Sequence, residues 1–127
     1  MSKLLVINLN SFIGSVLRYL VSGYVQQISQ SRAFPYGTLV VNVVGCFIIG
    51  FLSHLAEAHG FFSAEARAFI FIGILGGFTT FSTFGNESLN LLREGENFPA
   101  LVNIGAHILL GLGAVWLGRN AASVIWR

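Results

Sequence analysis

The stretch Gly73-Ile74-Leu75-Gly76-Gly77-Phe78-Thr79-Thr80-Phe81-Ser82-Thr83-Phe84 decides how this chain is read. Two adjacent glycines and two threonines interrupt an apolar run, a combination that weakens a helix locally. The run itself, 66–92, is long enough to cross a hydrocarbon core, which takes about 20 helical residues. About ten residues precede the interruption, giving about 15 Å of helix, half of that core. The interruption is therefore expected near the bilayer midplane. Lipid cannot satisfy unwound backbone at that depth, so protein, water or an ion must do so. Freed carbonyls suit cations there, and half-helix N-termini suit anions. A glycine-rich packing kink, with the threonines bonding back to the helix, accounts for the same residues.

Three further segments of spanning length surround this one, at 4–28, 36–55 and 98–117. The expectation is a single domain over 1–127, an all-α integral membrane protein of four transmembrane helices. Composition agrees. Of 127 residues, 54% are hydrophobic and 9% charged, and mean hydropathy is +0.75. Soluble domains carry about 25% charged residues, so the solvent of this surface is expected to be lipid. The net charge of +2 is spread over scattered Lys and Arg, which excludes a basic nucleic-acid face. Pro35 and Pro99 sit where helices begin, positions at which a missing N–H costs little. Small residues at Gly73 and Gly77, at Ser11 and Ser15, and at Gly105, Gly111 and Gly113 offer close-packing faces.

Alternating spans put Lys3, Arg67, Arg119 and Arg127 on one side and Arg18, Arg32 and Arg93 on the other. So small a difference specifies orientation weakly under the positive-inside rule, and dual insertion is expected. Cys46 is the one cysteine, and a lone thiol in an apolar run reads as packing. His54 and His59 are poorly spaced for a shared metal. No phosphate loop, dinucleotide fingerprint, metal cluster or nucleophile–base pair is present, so an enzyme is not expected.

The segment Gly76-Gly77-Phe78-Thr79-Thr80-Phe81-Ser82-Thr83-Phe84 resembles the signature of the CrcB/Fluc fluoride channels. Gly14 and Arg18 in the first span, Pro35-Tyr36-Gly37-Thr38-Leu39 followed by Asn42 in the second, and Glu87 after the signature extend the resemblance over the whole chain. It implies a passive fluoride-selective channel of a prokaryotic plasma (inner) membrane that exports fluoride and reduces its toxicity. It also implies an antiparallel homodimer of subunits inserted in both orientations, with two pores. One structural Na+ would lie at the dimer centre, held by backbone carbonyls of Gly76 and Thr79 from both subunits.

The pore implied by the resemblance runs past Phe81 and Phe84, with Asn42, Ser82 and Thr83 as hydrogen-bond donors. The chemistry is coherent, since aromatic edges carry partial positive charge and a pore must replace the hydration of its ion without trapping it. Arg18 is placed near a pore mouth, where its charge raises local anion concentration; snorkelling to headgroups is the alternative. Glu87 is either a structural hydrogen-bond anchor or part of the pore. Members of the family carry a polar track on helix four. Here the turn-spaced positions are Asn103, His107, Gly111 and Val115, of which Asn103 and His107 can still donate. Two other functions compete. A small multidrug-resistance-type exporter needs a carboxylate in span one, which instead carries Arg18. A non-transporting membrane subunit needs neither the interruption nor the phenylalanines that follow it.

Overall fold

The computed structural model describes residues 2–30, 34–60, 63–78 and 81–125. Thr79 and Thr80 of the signature, and Arg32 and Arg127 of the charge count, lie outside them. Helices account for nearly all of these residues, in the order α1 (Lys3–Ser29), α2 (Tyr36–His59), α3 (Ala64–Arg67), a π-helical segment (Ala68–Leu75), α4 (Gly76–Phe78), α5 (Phe81–Arg93) and α6 (Asn97–Ile125). No strand occurs among the described residues.

Local chemistry sets the helix ends. The Ser2 hydroxyl accepts the Leu5 N–H at 3.2 Å and caps α1, satisfying one of its orphan donors. Beyond α1 the chain is tied back by the Gln26 amide, whose Nε2 donates to the Phe34 carbonyl at 2.9 Å while its Oε1 accepts the Gly37 N–H at 3.0 Å. Between α5 and α6, Gly95 has φ 78°. The Glu96 N–H reaches the Leu91 carbonyl at 2.8 Å and the Gly95 N–H reaches Leu92 at 3.1 Å. This is a Schellman turn, and its left-handed residue favours glycine.

Three helices are long and apolar enough to cross a membrane by length and composition: Leu4–Ser29, Tyr36–Glu57 and Asn97–Ile125. They contain the expected spans 4–28, 36–55 and 98–117. The expected span 66–92 is not one helix but the succession from α3 to α5. Its irregularity also begins earlier than the glycines suggest. The π-helical turns start at Ala68, whereas Gly76 is right-handed helical, with φ −62° and ψ −36°. A π turn leaves backbone groups displaced from their usual i→i+4 partners and is frequent at functional sites.

Packing relies on small residues. A Cβ at Gly77 would lie 2.4 Å from the Ser11 carbonyl oxygen, and one at Gly14 would lie 2.1 Å from that of Ile74. These contacts seat α1 on the π-helical segment and α4; the first joins Gly77 and Ser11 of the two expected small-residue faces, and the second is made by Gly14. The α2–α6 pair is joined in the same way. A Cβ at Gly50 would lie 2.2 Å from the Val115 oxygen, and one at Gly118 would lie 2.1 Å from the Phe47 oxygen. Ala114, Gly118 and Ala122 form a buried stripe one turn apart on α6. Gly105 and Gly113, expected to serve close packing, meet nothing within 4 Å inside the subunit. Glu57 and Arg119 add an exposed ion pair between α2 and α6 at 3.1 Å, of a kind that contributes little. The large apolar side chains mostly point outward, among them Phe12 (69% exposed), Leu109 (74%) and Trp116 (65%). Such a surface needs an apolar solvent.

Candidate functional site

Two cavities meet at one side chain. The first, of about 290 Å³, is lined by Arg18 and Ser22 of α1, Thr38 and Asn42 of α2, and Thr83 and Glu87 of α5. Arg18 is half-buried there, its positive charge facing a confined polar space. The buried Thr38 hydroxyl donates to Glu87 Oε1 at 2.9 Å. The second carboxylate oxygen, Oε2, is buried without a hydrogen-bond partner. Glu87 is thus anchored by one oxygen and carries an unsatisfied acceptor on the other. Thr38 precedes Asn42 by one helical turn, so both present the same face of α2.

The second cavity is an apolar groove of about 470 Å³, bounded by Asn42, Phe71, Leu75, Phe81, Phe84 and His107 among others. The Phe81 and Phe84 rings stand 5.4 Å apart, centroid to centroid, tilted by 52°. Phe84 lies 4.3 Å from the His107 ring at 44°. The Phe81–Phe84 separation falls in the range of favourable tilted aromatic pairs, and the Phe84–His107 contact is closer still. Phe81 is 82% exposed in the single subunit, a large ring at the wall of the groove with little of this chain covering it. Gly76 lines the groove as well.

Asn42 borders both spaces, and its position is held from α6. His107 Nε2 lies 3.1 Å from Asn42 Nδ2, and His107 Nδ1 lies 2.9 Å from the backbone oxygen of Asn103. The Asn103 side chain is fully buried and turns away from both cavities, with Nδ2 donating to Ser88 Oγ at 2.9 Å. Of the positions spaced along helix four, His107 and Gly111 line the groove, Asn103 locks α6 to α5, and the Val115 backbone meets Gly50.

The structure therefore brings Asn42, Phe81, Phe84 and His107 to one groove and Arg18, Thr83 and Glu87 to the adjoining cavity. Ser82 is exposed and lines neither. Thr79 lies outside the described residues. Thr38 is the site residue to which sequence reasoning gave no role; its one-turn spacing from Asn42 was the available signal. The donor chemistry at Gly76 is that of a main-chain carbonyl, a hard neutral oxygen of the kind that suits small hard cations. A Cβ there would meet the Phe71 oxygen at 3.6 Å, an ordinary contact without a clash.

Comparison with known proteins places this geometry in context. The family described as CrcB-like protein, Camphor Resistance (CrcB), matches residues 5–119. A relative from Methanosarcina acetivorans named fluoride-specific ion channel FluC 1 is 46% identical, the alignment covering 96% of this chain and 92% of that protein. A fluoride-specific ion channel FluC from Opitutus terrae is 49% identical over 96% and 93% of the two chains. One of the same name from Parabacteroides distasonis is 48% identical over 93% and 91%.

Proposed function

Because this chain belongs to the CrcB family, we propose that it is a passive, fluoride-selective channel in a multi-pass membrane setting, exporting fluoride across a prokaryotic plasma membrane. It is not an enzyme. The observation that carries the reading is the place of Asn42, between a cavity holding Arg18 and a groove walled by Phe81 and Phe84. Fluoride leaves water only where donors replace its hydration, and it moves on only where none of them traps it. Arg18 draws anions into the first cavity. The Asn42 amide and the Thr83 hydroxyl donate hydrogen bonds, and the ring edges of Phe81 and Phe84 offer weaker positive dipoles beyond. Ser82 contributes its hydroxyl at the exposed side.

The full assembly in this reading is an antiparallel homodimer of subunits inserted in both orientations. Each subunit has four spans, the third irregular near the midplane, and the dimer has two pores. The exposure of Phe81 beside the groove supports a second copy that covers it, and the near balance of Lys and Arg between the two sides supports dual insertion. A Na+ at the dimer centre would be held by the carbonyls of Gly76 and Thr79 from both copies. It would supply a fixed positive charge that lets oxygen-rich backbone meet at the symmetry axis.

The test is fluoride efflux from liposomes followed with a fluoride electrode. Release well above protein-free vesicles, with chloride retained, is expected; well-assembled protein that releases no fluoride would overturn the reading.

A further inference from the structure

His107 stands between two groups that constrain its protons. Its Nδ1 faces the Asn103 carbonyl at 2.9 Å. A carbonyl only accepts, so Nδ1 carries a hydrogen whether the ring is neutral or charged. Its Nε2 faces Asn42 Nδ2 at 3.1 Å. An amide nitrogen only donates, so Nε2 must offer its lone pair. This geometry fits the neutral ring protonated on Nδ1. In this state His107 takes up one amide N–H of Asn42 and contributes to which way that amide faces.

A proton on Nε2 reverses the bond. Two donors would then confront each other, and the amide relieves this by turning about its Cβ–Cγ bond so that Oδ1 accepts from Nε2–H. The amide nitrogen moves to the opposite side. Asn42 borders both cavities, so the donor it offers a passing anion changes with the proton on His107. The surroundings add a second effect. Across the groove, α2 contributes Cys46 as its one titratable group, while α5 and the π-helical segment contribute Phe84 and Phe71. The α5 carboxylate Glu87, with Arg18 of α1, lines the other cavity, and Glu87 is bonded there to Thr38. Among the described lining residues no carboxylate faces an imidazolium in the groove, so an anion in transit would be its counter-charge. Tight binding of that kind slows conduction.

We propose that His107 is a positioning residue that couples permeation to acidity: neutral, it orients Asn42 for fluoride passage; protonated, it turns the Asn42 amide and retains the anion. The inference rests on the channel function proposed above. It is tested by fluoride efflux from liposomes containing the full chain, buffered equally on both sides between about pH 8 and about pH 5. Protein-free vesicles measured at each pH remove the leak of neutral hydrogen fluoride. Wild-type efflux should fall several-fold toward the acid end. His107→Gln keeps an oxygen able to accept from Asn42 but cannot titrate, and its acid-to-neutral ratio should stay near that of a flat profile. A flat wild-type profile, or the same fall in His107→Gln, overturns the inference and leaves the channel function standing. Absence of efflux at every pH overturns both. Nitrogen-15 resonances of wild-type His107 give a second arm that needs no variant: the neutral ring should be protonated on Nδ1, and a neutral ring protonated on Nε2 would contradict the proposal.

Discussion

Adding one methyl group at Gly14 should separate α1, which lines the Arg18 cavity, from the π-helical segment whose Phe71 and Leu75 wall the groove. A Cβ at this site would lie 2.1 Å from the Ile74 carbonyl oxygen and 2.9 Å from the Phe78 nitrogen. The shorter distance is about 1.3 Å less than the 3.4 Å at which ordinary contact begins. Both obstacles are backbone atoms, so no rotamer change relieves them, and α1 must move away from the π-helical segment by about that amount. Overpacking of this kind costs ~1–3 kcal/mol, and each 1.4 kcal/mol is roughly a tenfold shift in an equilibrium. Gly23→Ala on the same helix is the control, since a Cβ there meets nothing within 4 Å, and alanine is the better helix former by roughly 0.5–1 kcal/mol. The assay is the fraction of purified protein remaining in its assembled gel-filtration peak after heating in detergent. Gly14→Ala should lose the peak at clearly lower temperature than wild type, and Gly23→Ala should not. Equal behaviour of the two variants would refute the close α1 packing described here.

Asn103→Ala removes the fully buried partner of Ser88 and leaves that hydroxyl short of a bond, which should lower stability by about 1–3 kcal/mol in the same heating assay; unchanged stability would mean that this contact does not lock α6 to α5. Exchanging Na+ for a large organic cation during purification should reduce the assembled fraction of wild type. Thr79→Ala should behave like wild type in that exchange, because the proposed ligand is a backbone carbonyl; indifference of wild type to Na+ would count against the central ion. C-terminal reporter fusions should show both membrane orientations in the same cells, and a single location in every fusion would count against the antiparallel dimer.

Three of the helices were legible because length and apolar composition suffice to define them. The irregular third segment was legible only in outline. Gly76 and Gly77 mark it, yet Ala-Phe-Ile-Phe-Ile-Gly-Ile-Leu over 68–75 is apolar at nearly every position, so no periodicity separates π from α turns. The Ser11/Gly77 contact could be anticipated from paired small residues one turn apart. Gly37, Gly50 and Gly118 could not: each meets its neighbour's backbone as an isolated glycine, and the pairing of Gly50 with α6 is a tertiary fact. The site divides similarly. Phe81 and Phe84 share a helix face by spacing alone. The bond between Asn42 and His107 joins residues 65 positions apart and leaves no local trace. Asn103 reads as a polar member of a helix-four track, but it satisfies its amide nitrogen inward on Ser88, as a buried amide must where a partner is available.

Fluoride efflux from liposomes carrying Phe81→Ile or Phe84→Ile, measured beside the gel-filtration profile of each variant, bears most directly on the central claim. Isoleucine preserves an apolar side chain in a lipid-solvated protein and removes the aromatic quadrupole. If these rings form the fluoride path, both variants should assemble while their efflux falls well below wild type. Wild-type efflux from well-assembled Phe81→Ile and Phe84→Ile proteins would contradict the phenylalanine-walled groove as the route of permeation.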